Sequence, residues 1–213
     1  MIKTKKKKKL RRVPVVTDAP FSNVGEQLRI IRTKLLQHQL QTGAKSFLIT
    51  SPSKGEGKSF ITANLALTFA ELNKKVLIIE ANLRNPSVHH YFGKSLKTEQ
   101  ELKQIQLNQL TIHATDKANI YVIDQEKLTY NPSTFFSNVD LRFAIDIFKQ
   151  HFDLILVDAP HALEIPELIT LLTSVDSVIG VVNFRKTMKN ELENMINVIK
   201  NVSENSIFVV VNK

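Results

Sequence analysis

Residues 51–59, Ser-Pro-Ser-Lys-Gly-Glu-Gly-Lys-Ser, combine two glycines, a lysine and a hydroxyl at a spacing suited to holding phosphate. An apolar run from Phe47 to Thr50 precedes them, and a helical pattern opens at Lys58. A strand, a glycine turn and a helix N-terminus in that order aim backbone N–H groups at oxyanions. Gly55 and Gly57 let the backbone approach closely, Lys58 reaches for β- and γ-phosphates, and Ser59 offers its hydroxyl to Mg²⁺. Pro52 stands where this motif usually has its first glycine, so the Gly-x-Gly-Lys-Ser kernel carries the reading. The expected ligand is a nucleoside triphosphate, held along Lys54, Gly55, Glu56, Gly57, Lys58, Ser59 and Phe60.

A second group follows about a hundred residues later. Phe152 to Val157 is an apolar strand pattern that ends in Asp158. A carboxylate at a strand end is what a nucleotide site needs to organise Mg²⁺, often through the ion's water shell. These groups must be positioned by a regular frame, and the hydrophobic pattern supplies one. Short runs rich in Val, Ile and Leu at 46–50, 75–80, 119–123, 153–158, 177–182 and 206–211 read as strands buried on both faces. Helical patterns fall between them at 24–41, 58–72, 98–108, 133–150, 165–174 and 187–202. The alternation predicts an α/β fold of the P-loop NTPase type, a mostly parallel sheet with helices on both faces. The loops after residues 50, 80 and 158 then converge at the carboxyl ends of the strands, where such folds bind ligands.

Composition narrows the class further. The net charge of +9 is concentrated in residues 1–12, where Lys3, Lys5, Lys6, Lys7, Lys8, Lys9, Arg11 and Arg12 occur without an acid. Without those eight, 21 basic residues face 20 acidic ones, so the body is near neutral. Residues 1–20 read as a basic, disordered tail and 21–213 as one nucleotide-binding domain. A tail of this kind either stays solvated or meets an anionic membrane surface through residues 3–12; nucleic acid is not the expected partner. There are no cysteines, which excludes disulfides and thiolate metal sites and suits a cytoplasmic location. No apolar run is long enough to span a bilayer.

A third element makes the pattern specific: Val76-Leu77-Ile78-Ile79-Glu80-Ala81-Asn82-Leu83-Arg84-Asn85-Pro86. The chain resembles the bacterial tyrosine kinases of capsule and exopolysaccharide synthesis, relatives of the MinD/ParA-type ATPases. In that family the corresponding strand ends in Asp-x-Asp-x-Arg, closely followed by Pro. Arg84 and Pro86 match, while Glu80 and Asn82 replace the aspartates. Glu26-x-x-Arg29-x-x-Arg32 is similar to the family's oligomerisation helix, Asn131-Pro132-Ser133 to its Asn-Pro before a helix, and Asp158-Ala159-Pro160 to its Asp-x-Pro. Val209-Val210-Val211-Asn212-Lys213 resembles the family's last strand, whose Asn lies near the adenine.

The resemblance implies ATP and Mg²⁺ as cofactors, Lys58, Glu80 and Asp158 as catalytic residues, and Ser59, Glu80, Asn82 and Asp158 on the metal side. It also implies a homo-oligomer assembled through Glu26, Arg29 and Arg32. A separate membrane-anchored activator would recruit the protein to the inner face of the cell membrane. The departures bear on activity: Glu80 is longer than Asp by one methylene, and Asn82 is neutral and cannot act as a base. Family kinases phosphorylate tyrosines in a C-terminal cluster, whereas this sequence has only Tyr91, Tyr121 and Tyr130, of which Tyr91 and Tyr121 read as packing residues. Three functions follow: a protein-tyrosine kinase, a catalytically degenerate ATP-binding regulatory subunit, and a ParA/MinD-like ATPase. Ser53 occupies the place where the last class has a lysine, which counts against it.

Overall fold

The computed structural model describes residues 13–93, 110–123, 140–163 and 167–213. Seven strands form one sheet: β1 (Ser46–Thr50), β2 (Val76–Glu80), β3 (Ile112–Ala114), β4 (Ile120–Ile123), β5 (Leu154–Asp158), β6 (Ser177–Asn183) and β7 (Ser206–Asn212). Their order is β3-β4-β2-β5-β1-β6-β7, and every pairing is parallel except β3 with β4. The mostly parallel α/β fold expected from the alternation of elements is therefore the one observed.

Both faces of the sheet are covered, and the period-two geometry of the strands shows how. Phe47, Ile49, Val76, Ile78, Leu154 and Leu156 pack with α1 (Val15–Asp18), α2 (Asn23–Thr42) and α3 (Lys58–Ala70) in one core. Their neighbours Leu48, Leu77, Ile79, Ile155 and Val157 point the other way, against α4 (Leu141–His151), α5 (Glu167–Thr173) and α6 (Lys189–Val202). A central strand must be apolar at every position to serve two cores. That is why β1, β2 and β5 are buried throughout and stand out in the sequence.

Helix boundaries follow local chemistry. Ser22 caps α2 by accepting the Gly25 N–H, and Gly43 ends it in a left-handed conformation. Leu28 and Leu35 are the buried side of α2, with Ile31 and Leu36 packed beside them. Asp140 accepts the Phe143 N–H with its side chain, so α4 starts at Leu141; the earlier part of the expected helix, 133–139, lies outside the described residues. Three elements were not anticipated, one of them a short 3-10 turn at Val88–Tyr91. The three-residue edge strand β3 pairs antiparallel to β4. Residues 13–20, read from the sequence as the end of the tail, include α1, whose Val16 is buried and donates its N–H to Asn64 Oδ1 at 3.1 Å. The expected helix 98–108, the Asn131-Pro132-Ser133 element, Tyr130 and the basic run 1–12 lie outside the described residues.

Candidate active site

β5 lies between β1 and β2 with Asp158 in register with Ile49 on one side and Glu80 on the other. The glycine turn after β1, the acidic strand ends and the loop after β2 therefore meet at the centre of the sheet. Gly55 and Gly57 adopt φ of 85° and 96°, conformations open to glycine and strained for other residues. Gly57 also faces the Asn212 side chain, and a Cβ there would run into its amide nitrogen. Asn212 at the end of β7 donates to the Glu56 carbonyl at 3.0 Å. The residue expected near the adenine is thus held directly on the phosphate turn. Phe60 and Asn212 also share an apolar groove of about 580 Å³ between α2, α3 and β7.

The lysine, hydroxyl and carboxylate singled out in the sequence lie close together. Lys58 is 7% exposed and donates from Nζ to Ser51 Oγ at 2.8 Å. Burial lowers the pKa of its ammonium group, and the charges of Asp158 and Glu56 oppose that shift. Ser59 donates to Asp158 Oδ2 at 2.6 Å, and Thr62 donates to Asp158 Oδ1 at 3.2 Å. Asp158 is fully buried, and its carboxyl is pushed up to about 6. Burial is the main cause and the Glu80 charge adds to it, while Lys58 and the two hydroxyl donors pull the other way.

The side chains of Glu56 and Glu80 both find partners within the chain. The Glu56 side chain is turned into the protein, where Oε1 accepts the Ser53 N–H and Oε2 accepts from the Asn183 N–H and Thr187 Oγ1. It fastens the phosphate turn to the loop before α6, which leaves only its backbone for a ligand. The Glu80 carboxylate takes the N–H groups of Ser87 and Val88 on Oε1 and meets His89 Nδ1 at 2.7 Å on Oε2. It faces the segment after β2. Asn82 is half-buried in the same loop, where its carbonyl accepts the Asn85 N–H, and Lys54 is exposed at the tip of the turn.

Glu26, Arg29 and Arg32 do lie on one side of α2, but their charges are engaged within the chain. Glu71, just after α3, accepts two hydrogen bonds from Arg29, at 2.7 and 3.0 Å, and one from Arg32 at 3.1 Å. Arg29 also bonds Glu26 at 2.9 Å. The Arg29 hydrogen bonds hold the Glu71 carboxyl below its ordinary pKa. Sequence reasoning missed Glu71, Ser51, Thr62 and Ser87. Only Thr62 had a local signal, since it falls three residues after Ser59 on the same helical face. Tyr91 and Tyr121 are packing residues, 5% and 4% exposed.

Residues 47–210 match the AAA domain family. The tyrosine-protein kinase YwqD of Bacillus subtilis is 30% identical over 186 residues, which cover 86% of this chain and 78% of YwqD. The chain belongs to the bacterial tyrosine-protein kinase family. EpsB of Ralstonia solanacearum is also 30% identical, over 179 residues that make up 80% of this chain but only 23% of EpsB. The chain thus spans about a quarter of that relative's length. The kinase domain of the Escherichia coli tyrosine kinase Etk shares the fold, with a TM-score of 0.81 at 23% identity, covering 99% of this chain and 84% of that domain. The P-loop ATPase-like fold implies nucleotide binding. Among the described residues no helix is long and apolar enough to cross a membrane.

Proposed function

We propose that this chain is an ATP-dependent protein-tyrosine kinase of capsule or exopolysaccharide synthesis that transfers a phosphoryl group from Mg-ATP to tyrosine. The observation that carries the reading is the meeting of Lys58, Ser59 and Asp158 behind the Gly55–Gly57 turn at the carboxyl ends of β1 and β5. The oxygen donors present suit a hard divalent cation, with Ser59 and Asp158 as the residues that would hold it. When bound, Mg²⁺ supplies charge neutralisation for the phosphates. The chain's own part is positioning. Backbone N–H groups of residues 54–60 cradle the phosphates, and Asn212 fixes the turn from the adenine side. Lys58 exchanges Ser51 for a phosphate oxygen. That exchange suits a buried ammonium, which gains a charged partner in place of a neutral hydroxyl.

The wider assignments belong to the same proposal: a homo-oligomer built through the α2 face, a membrane-anchored activator, a cytoplasmic location at the inner face of the membrane, and contact of residues 3–12 with anionic lipid. A second reading, an ATP-binding regulatory subunit without transferase activity, is favoured by one observation: Glu80 spends both carboxylate oxygens on residues 87–89. Labelled ATP, a tyrosine-rich peptide in trans and the activator's cytoplasmic fragment separate the two. Transfer by the wild type supports the kinase. Transfer only after Glu80→Asp with Asn82→Asp supports the regulatory subunit. A folded protein that binds neither ATP nor ADP at millimolar concentration rejects both.

A further inference from the structure

The loop after β2 brings an oxygen to the metal side of the site that none of the motifs supplies. Ser87 Oγ donates to Ser59 Oγ at 2.7 Å, and Ser59 Oγ donates in turn to Asp158 Oδ2 at 2.6 Å. Neighbouring ligands on an octahedral Mg²⁺ with bonds of 2.0–2.1 Å stand about 3 Å apart. Three oxygens in a row at nearly that spacing resemble part of one coordination shell already gathered by the protein.

Glu80 is what places Ser87 there. Its Oε1 receives the backbone N–H of Ser87 and that of Val88, the latter at 2.7 Å, while His89 holds Oε2. The carboxylate is 2% exposed, so these protein donors, and not water, satisfy it. An aspartate at this position would end about 1.5 Å short of the same N–H groups, one C–C bond less of reach. The longer side chain therefore fits the task of gripping the loop.

We propose that Ser87 is a metal-side residue of this site, within the nucleotide-binding reading on which the proposal rests, and that Glu80 is the positioning residue that holds it there. Ser87 contributes its hydroxyl to the Mg²⁺ shell beside Ser59 and Asp158. Glu80 acts on the metal through the loop and not as a ligand.

The test is Mg²⁺-dependent ADP binding to the full chain, followed by calorimetry over a range of free Mg²⁺ and, separately, in EDTA. Loss of a group that orients or extends a metal shell typically costs about 10–100-fold in metal affinity. Ser87→Ala should therefore raise the free Mg²⁺ needed for half-maximal enhancement of ADP binding by at least about 10-fold. ADP affinity in EDTA should stay within about twofold of the wild type. Ser87→Thr, which keeps the hydroxyl, should restore the wild-type Mg²⁺ response. Glu80→Gln should shift the response in the same direction as Ser87→Ala, and the double variant should be no worse than Ser87→Ala alone, since both changes remove one interaction.

An unchanged Mg²⁺ response in Ser87→Ala overturns the proposal. A tighter response overturns it too, because Ser87 would then be a plug that the metal must displace. If Glu80→Gln weakens binding equally with and without Mg²⁺, the positioning role falls. Wild-type protein that is folded and binds no ADP defeats the nucleotide reading itself, a result seen before any variant is made.

Discussion

Asp158→Asn should make the nucleotide-free protein more stable at neutral pH while disabling the site. Asp158 is fully buried, and its carboxyl is raised from 3.8 to about 6, mainly by burial and then by the nearby Glu80 charge. Ionising it in the folded chain is therefore about 3 kcal/mol harder than in the unfolded chain. Between pH 3.8 and about 6 the folded protein holds more protons at this position than the unfolded one, so this group's contribution to stability falls as pH rises. Above that window the whole cost is present, and below pH 3.8 it vanishes. Asparagine carries no such cost, and the Ser59 and Thr62 hydroxyls can rotate to pair with its amide. Allowing for the lost attraction to Lys58, the expected gain is about 1–3 kcal/mol at pH 7.5. A gain of about 2 kcal/mol raises Tm by roughly 4–8 °C in a chain of this size. Melting curves of both proteins in EDTA from pH 4 to 8 give the difference directly. Glu71 and Asp176, whose pKa values are lowered, contribute equally to both proteins and cancel. The difference should grow through pH 4–6 and then level off. A variant less stable than wild type at pH 7.5, or a difference independent of pH, refutes the argument that ionisation of this carboxylate is costly.

Lys58→Met should weaken Mg-ATP binding by at least about 10-fold in calorimetry, because it removes a charge-assisted contact to phosphate. Gly57→Ala should cost about 1–3 kcal/mol in denaturant unfolding, since φ of 96° strains any other residue and the methyl group meets Asn212; nucleotide affinity should fall with it. Arg29→Glu with Arg32→Glu should reduce the assembled mass in light scattering, whereas Glu71→Gln, which loosens the internal clasp but leaves both arginines, should not. A monomer at every concentration, with and without ATP, would remove the α2 face from consideration as an interface.

The sequence exposed most of the frame because the frame's central strands must be apolar on both faces. Val76 to Ile79 and Leu154 to Val157 could not be anything polar and still serve two cores. β3 escaped notice for the converse reason: it is a three-residue edge strand of which only Ile112 is buried, too short for a periodic signal. α1 was hidden because Val16 is fixed by Asn64, 48 residues away. The site divides along the same line. Lys58 and Ser59 are legible because the turn dictates their spacing, and Asp158 because it ends a strand. Ser87 and Glu71 act through contacts 28 and about 40 residues distant in the chain, which no local pattern encodes.

Set against the Asp-x-Asp of the family the sequence resembles, Glu80 and Asn82 look like simple loss, yet the folded chain gives Glu80 a use of its own. Glu80 retains its charge close enough to raise the Asp158 pKa, but its oxygens are directed to the Ser87 and Val88 backbone and to His89. Asn82 brings no charge to the loop after β2, where its carbonyl accepts the Asn85 N–H. Restoring both aspartates should then act in two opposed ways. It adds negative charge where a divalent cation would be attracted, and it releases the loop that carries Ser87. Whether Mg²⁺ affinity rises or falls in Glu80→Asp with Asn82→Asp, compared with Asn82→Asp alone, reads out which of these effects is larger. Asn82→Asp alone, which adds a charge and leaves Glu80 gripping the Ser87 and Val88 N–H groups, should be the tighter metal binder of the two.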